Sequence, residues 1–237
     1  KNKKKKELEK KKIDKFVKLI NRFKYKKKHP LQNLFFLVHI TKNFGTLPFA
    51  GLARCAFISQ RILLDLKEKK LINDYELQKF FNSINNISSS INNDLDDLFK
   101  KKIKKKVFLD KYFHLRPSSY DINSKNYKEG FNIYFDKKKF RKQKYIKFYK
   151  FKNQKKIDTI LLKEIGINCK FFLSFARNSI KLREYSKFQF TKGINRIFEE
   201  LISLGKLVKI KRKDLVHIDI KNLINFYSKL ETVKLES

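Results

Sequence analysis

The chain has 237 residues and 41% hydrophobic content, enough to bury a core in one large or two small domains, so a disordered polymer is excluded. Apolar stretches such as Leu34 to Ile40 fall far short of the about 20 residues a bilayer crossing needs, so no membrane partner is expected. The opening KNKKKKELEKKK lacks an apolar core and a small-residue cleavage site, which argues against a signal peptide and for a cytoplasmic protein; with no Met anywhere, Lys1 reads as the edge of a longer chain.

Residues 1 to 28 read as a basic lead-in helix with Ile13, Phe16, Val17, Ile20 and Phe23 on one stripe, broken at His29-Pro30 because Pro disfavours helix at the residue before it. Leu31 to Asn43 reads as a buried helix. A separate helix is expected to start at Thr46, capped by its hydroxyl, with Pro48 in the first turn and a small-residue surface of Ala50, Gly51, Ala53 and Ala56, ending near Lys70. Asn73 and Glu76 form a capping pair for a helix whose apolar positions, Leu77 through Leu98, keep helical spacing across an Asn/Ser-rich middle.

After the polar run 100 to 106, Val107 to Leu115 predicts a short helix that stops at Arg116-Pro117. Residues 117 to 158 read as irregular, with 144 to 152 alternating enough to pair as a strand. A long helix is predicted from Asn168 to Leu204, stopped by Gly205, then a hairpin from 207–210 and 215–218, and a terminal helix from 220 to 230 capped by Asp219. The expected architecture is therefore a mostly α, multi-helix bundle with a short β-hairpin near the C-terminus and an irregular central loop region. Its parts are a lead-in helix (1–30), a helical subdomain (31–116), the loop region (117–158) and the long helix with hairpin and terminal helix (159–237).

Fifty-nine basic side chains against 23 acidic give a formal charge of +36, which invites a nucleic-acid reading because each neutralised phosphate releases counterions. Only nine of the 59 are Arg, whereas specific phosphate and base recognition leans on the planar Arg fork. Lys, Asn, Ile and Phe are abundant together while Met and Trp are absent, the pattern of drift toward A+T-rich codons on solvated faces. Nonspecific, low-salt nucleic-acid binding is expected either way. Cys55 and Cys169 lie in no metal-ligand spacing and read as reduced core thiols.

No self-contained catalytic signature occurs: there is no phosphate-binding Gly loop, nucleophile elbow or HExxH. Two polar clusters stand out. In Phe113 to Ile122, Arg116 leaves a helix just before Pro117, followed by Ser118, Ser119, Tyr120 and Asp121; such a loop either grips an anion through the Arg fork or pairs Arg116 with Asp121 and nearby backbone groups. His114 reads as a satisfied helix-end histidine. On the long helix, Arg177, Lys181 and Glu184 share a face beside Arg183 and Tyr185, either as a surface ion-pair ladder or as a stripe aimed at a ligand.

Four segments in order resemble the central region of phosphoenolpyruvate-utilising enzymes akin to phosphoenolpyruvate synthase and rifampicin phosphotransferase: Phe44 to Arg54 (FGTLPFAGLAR), His114 to Ile122 (HLRPSSYDI), Ala176 to Phe188 (ARNSIKLREYSKF) and Asp214 to Leu223 (DLVHIDIKNL). Phe113, Ser118 and Ser119 stand where the family pattern has Gly, Gly and Thr, which stiffens the loop. The resemblance implies a three-part phosphotransferase in which an ATP-grasp domain, holding ATP and Mg²⁺, phosphorylates a histidine on a mobile domain that carries the group to a small-molecule acceptor. Both of those domains would be missing here and act as partners. This chain would be the helical acceptor-substrate and linker region, inactive alone and without a cofactor of its own. Arg116, Tyr120, Asp121, Arg177 and Arg183 would then bind substrate or phosphate in one cleft, with no catalytic side chain supplied. The competing readings are a Lys-rich helical nucleic-acid-binding protein and a non-catalytic helical scaffold.

Overall fold

The computed structural model describes residues 2–23, 30–142, 149–223 and 225, with side chains from residue 7 onward. The described chain is mostly helical and contains no strand. In chain order it forms α1 (Asn2–Arg22), α2 (Pro30–Ile40), a π-helical turn (Thr41–Thr46), α3 (Leu47–Glu68), α4 (Asp74–Asn82), α5 (Ile87–Phe99), α6 (Lys105–Tyr112), α7 (Phe131–Tyr134), α8 (Gln154–Ile165), α9 (Cys169–Leu207) and a 3₁₀ helix (Arg212–His217).

Several boundaries differ from the sequence expectation, each for a physical reason. Thr46 caps no new helix: α2 runs through the π turn into α3, so 30–68 is one unbroken helix that absorbs an extra residue. By length and composition this helix has a window apolar enough to cross a membrane, with 33% of that window buried in the protein. The interrupted reading of this stretch had hidden that property. Asn73 and Glu76 do form the expected capping box, Glu76 N–H donating to Asn73 Oδ1 at 2.9 Å. The helix behind that box is not continuous to Leu98. A second box at Asn86, whose Oδ1 accepts from Ser89 N–H at 3.1 Å, restarts the chain as α5. An N-cap of this kind contributes about 1 kcal/mol.

The hairpin is not formed. α9 continues past Gly205 to Leu207, and 212–217 curl into the 3₁₀ helix so that Leu215 packs on Gly205, where an added Cβ would sit 3.0 Å from its Cδ2. The short helix at 107 ends at Tyr112 rather than Leu115. α8, inside and beyond the stretch read as irregular, is stopped by Gly166 at a φ of 67°. Residues 149–152 are not strand, and residues 144–148 of the expected strand lie outside the described residues. Residues 220–223 are helical, and most of the terminal helix also lies outside them.

Two compact units share these elements. One comprises Lys1–Lys10, Pro48–Phe108 and Lys137–Lys187. Its core joins Ala56, Leu63 and Leu66 of α3, Leu77 and Phe80 of α4, Ile157 and Leu161 of α8 and Phe172, Ala176 and Ile180 of α9. Phe151 stacks on Phe80 at 5.6 Å between ring centroids, tying the segment before α8 to this core.

The other unit comprises Lys11–Leu47, Leu109–Asp136 and Phe188–Ser237. Ile13, Phe16 and Ile20 of α1, Leu34, Leu37 and Ile40 of α2, Tyr112, and Phe190, Ile197 and Leu201 of α9 are buried in it. Two glycines set its closest approaches. A Cβ on Gly45 would meet Phe190 Cβ at 2.9 Å, and one on Gly193 would overlap the Thr41 hydroxyl and lie 2.9 Å from Phe16. The glycines let the π turn and α9 approach nearly backbone to backbone.

Candidate functional site

The stretch after α6 folds as a compact loop because its polar groups close on one another. Pro117 ends any helical continuation. Tyr127 N–H donates to Leu115 O at 2.8 Å, Asp121 N–H to Ser118 O at 3.1 Å, and Asn126 and Glu129 form a reciprocal box, with Glu129 N–H donating to Asn126 Oδ1 at 2.9 Å. Arg212 clamps the outside, its Nε donating to Ile122 O at 2.8 Å and its guanidinium pairing with Glu129 at 3.2 Å.

Arg116 lies at the centre of this loop, only 8% exposed. Its Nη1 donates to Ser124 O at 3.2 Å and to Asp121 O at 3.4 Å, its Nη2 donates to Asn195 Oδ1 on α9, and its plane lies 4.8 Å from the Phe198 ring. Asn195 also accepts from Asn126 Nδ2 at 3.1 Å and donates to Glu199 at 2.8 Å. Burial pulls the Arg116 pKa down while Glu129, Glu199 and Asp121 pull it up. Its charge is thus spent on tying loop to helix. Arg116 bonds backbone carbonyls of its own loop and Asn195, and not the Asp121 carboxylate.

Asp121 takes part through its backbone carbonyl; its carboxylate accepts instead from Asn123 N–H at 2.8 Å and is exposed. Tyr120 projects from the same loop at 64% exposure. His114, 1% exposed, has its Nε2 2.9 Å from Phe188 O and its ring 4.8 Å from the Phe188 ring. Desolvation first, then the Lys192 and Arg116 charges, push its pKa to about 3, so it is neutral and donates from Nε2, while Nδ1 is buried without a partner. The sequence suggested a satisfied helix-end histidine; His114 instead lies two residues past α6 with one ring nitrogen bonded and the other unpartnered.

Arg177 and Arg183 belong to the other unit. Arg177 Nη2 donates to Tyr149 O at 2.8 Å, and its guanidinium lies 4.9 Å from the Phe80 ring. Arg183 stacks 5.2 Å from Phe57 and pairs with Glu184 at 3.2 Å. Glu184 thus pairs with its chain neighbour and Arg177 reaches a carbonyl, in place of the ladder expected from their spacing. Arg177 also stands on the wall of a cavity of ≈ 750 Å³. The structure therefore groups Arg116, Tyr120 and Asp121 in one unit, and Arg177 and Arg183 in the other.

Asn195, Asn126 and Ser124 complete the Arg116 loop and were missed by the sequence reading. Asn195 did leave a signal, as an amide set among Ile194, Ile197 and Phe198 on a core helix, where a buried polar group demands a partner. Asn126-x-x-Glu129 is itself a capping pattern. Among the described residues no group of three or more His, Cys, Asp or Glu could hold a metal ion. Cys55 and Cys169 are free thiols; Cys169 is buried and Cys55 half-buried. Set beside protein-family models, curated proteins and solved structures, the chain matches none of them.

Proposed function

We propose that this chain is the helical acceptor-substrate and linker region of a cytoplasmic phosphotransferase of the phosphoenolpyruvate-synthase type, working with an ATP-grasp domain and a phosphohistidine domain carried elsewhere in the same protein. One observation supports the reading: the second and fourth segments lie in one unit, the first joins it through Phe44–Leu47 and the third through Phe188, and residues of these segments or next to them make close contacts there. Gly45, from the first segment, faces Phe190. His114, from the second, meets Phe188, the last residue of the third. Arg212, which leads into the fourth, clamps Ile122 of the second, and Leu215 within the fourth covers Gly205. In these segments Gly45 and His114 are at positions where a different side chain would overlap a neighbour or strand a buried polar group, while Leu47, Tyr120 and Val216 are exposed.

In this reading Arg116 is a positioning residue that holds the loop on which Tyr120 and Asp121 are exposed. Arg177 and Arg183 supply the cations, because phosphoryl transfer relies on placed positive charge more than on covalent chemistry from the protein. Helix 30–68 buries Leu34, Leu37, Ile40, Leu52, Ala56 and Leu63 and leaves Leu47, Phe57 and Ile58 exposed. The test is incubation with labelled ATP. The chain alone is expected to hydrolyse none and to form no acid-labile phosphohistidine; either activity, lost on substitution of His114, overturns the assignment.

A further inference from the structure

The ≈ 750 Å³ cavity in the Lys137–Lys187 part of the first unit has a composition that the loop at Arg116 lacks. Four of its lining residues are cations, namely Lys150, Lys155, Lys170 and Arg177, and one, Asp158, is an acid. Asp158 is already engaged: its Oδ1 accepts from Cys169 N–H at 2.6 Å at the start of α9. The floor is apolar, with Leu173 at 4% exposure and the Cys169 thiol at 4%. Burial, with Asp158 nearby, pushes that thiol's pKa up, so it adds no negative charge near neutral pH. Arg177 is held against the wall by Tyr149 O and the Phe80 face, so one cation has a fixed position while the three lysines are exposed and adjustable.

We infer that this cavity binds a phosphorylated small molecule, its phosphate held by Arg177 and the surrounding lysines and its organic body resting on Leu173. Lysines serve as point charges for phosphate, and an excess of cations over one engaged carboxylate suits a ligand carrying two or more negative charges. The volume lies within the about 300–1,000 Å³ of small-molecule sites. An apolar floor under a charged wall fits a small ligand better than a nucleic-acid strand, which needs a continuous track. The inference rests on the acceptor-region reading for its place in a reaction, and on the cavity alone for its binding chemistry.

The test is calorimetric titration of the whole chain with inorganic pyrophosphate at near-physiological salt, where loose attraction to the +36 charge is largely screened. Saturable one-to-one binding is expected, weakened about tenfold or more by Lys155→Glu with Lys170→Glu and less than about twofold by the same change at Lys101 and Lys137, which lie on another surface. Bound pyrophosphate is also expected to slow alkylation of Cys169 while leaving Cys55 unchanged as the internal reference. Equal weakening by the two charge-reversed pairs, or protection of both thiols or of neither, overturns the site, because bulk charge then accounts for the binding. Tighter binding of a single-stranded oligonucleotide than of pyrophosphate, abolished by the Lys155/Lys170 pair, also overturns it. Failure here leaves the phosphotransferase reading to its own phosphohistidine assay.

Discussion

Replacing Arg116 by Lys keeps the charge and removes the fork. The guanidinium serves Asp121 O, Ser124 O and Asn195 Oδ1 together and covers Phe198, whereas one ammonium on a flexible stem reaches two of these acceptors at most. A hydrogen bond from a charged donor contributes about 1.5–3 kcal/mol, and the two carbonyl contacts at 3.2 and 3.4 Å are long, which places them at the low end. Losing one of them, and about 0.5–1 kcal/mol from the ring contact, sums to a destabilisation of about 2–2.5 kcal/mol. Arg116→Ala, which strands all three acceptors, is expected to cost about 3–5 kcal/mol. Urea denaturation followed by far-UV circular dichroism reads both as a lower midpoint at unchanged slope. A double-mutant cycle with Asn195→Ala is expected to return a coupling of about 1–2 kcal/mol. If Arg116→Lys lies within about 0.5 kcal/mol of the parent chain, Arg116 does not staple the loop and the argument for a positioning role fails.

His114 predicts a pH dependence with a definite sign. Its folded pKa is about 3, below the usual value, so between there and about pH 6.5 only the unfolded chain takes up the proton, and stability falls by up to about 1.4 kcal/mol per pH unit as the solution is acidified. His114→Gln should remove that part of the slope; an unchanged slope would show that His114 is not buried neutral. Gly193→Ala drives a methyl into Thr41 and Phe16 and is expected to cost about 2 kcal/mol or more. Gly51→Ala meets only the flexible Glu9 side chain at 3.3 Å and should be neutral or stabilising by up to about 1 kcal/mol through helix propensity. Equal effects in thermal melts would contradict the close approach at Gly193. Nucleic-acid binding is expected to collapse as salt rises and to show no sequence preference, whereas selective binding at physiological salt would favour the nucleic-acid reading.

Much of the helical content was legible because Phe, Leu and Ile recur at helical spacing, and the Asn73–Glu76 box was legible because its two side chains are local. The second box at Asn86 uses Ser89 in place of Glu or Gln, so it left a weaker signal than the apolar period running across it. Val208, Ile210, Val216 and Ile218 alternate as strand residues do, and runs this short do not separate a strand from a helix end. Here the vacancy at Gly205, which only the tertiary fold creates, draws Leu215 into a 3₁₀ turn. α8 escaped notice because it follows a Lys- and Asn-rich stretch, although Ile157, Ile160, Leu161 and Ile165 keep helical spacing. At the candidate site Arg116 was found from its place before Pro117, but its partners were not, because Asn195 is 79 residues away in sequence.

The most direct test of the phosphotransferase account is the location of acid-labile phosphate after ATP treatment of the protein made from the complete reading frame that encodes this chain. Transfer to a histidine outside residues 1–237, surviving Arg116→Lys while delivery to a small-molecule acceptor is weakened, is the predicted result. No phosphohistidine at all, or one on His29, His39, His114 or His217, would contradict it.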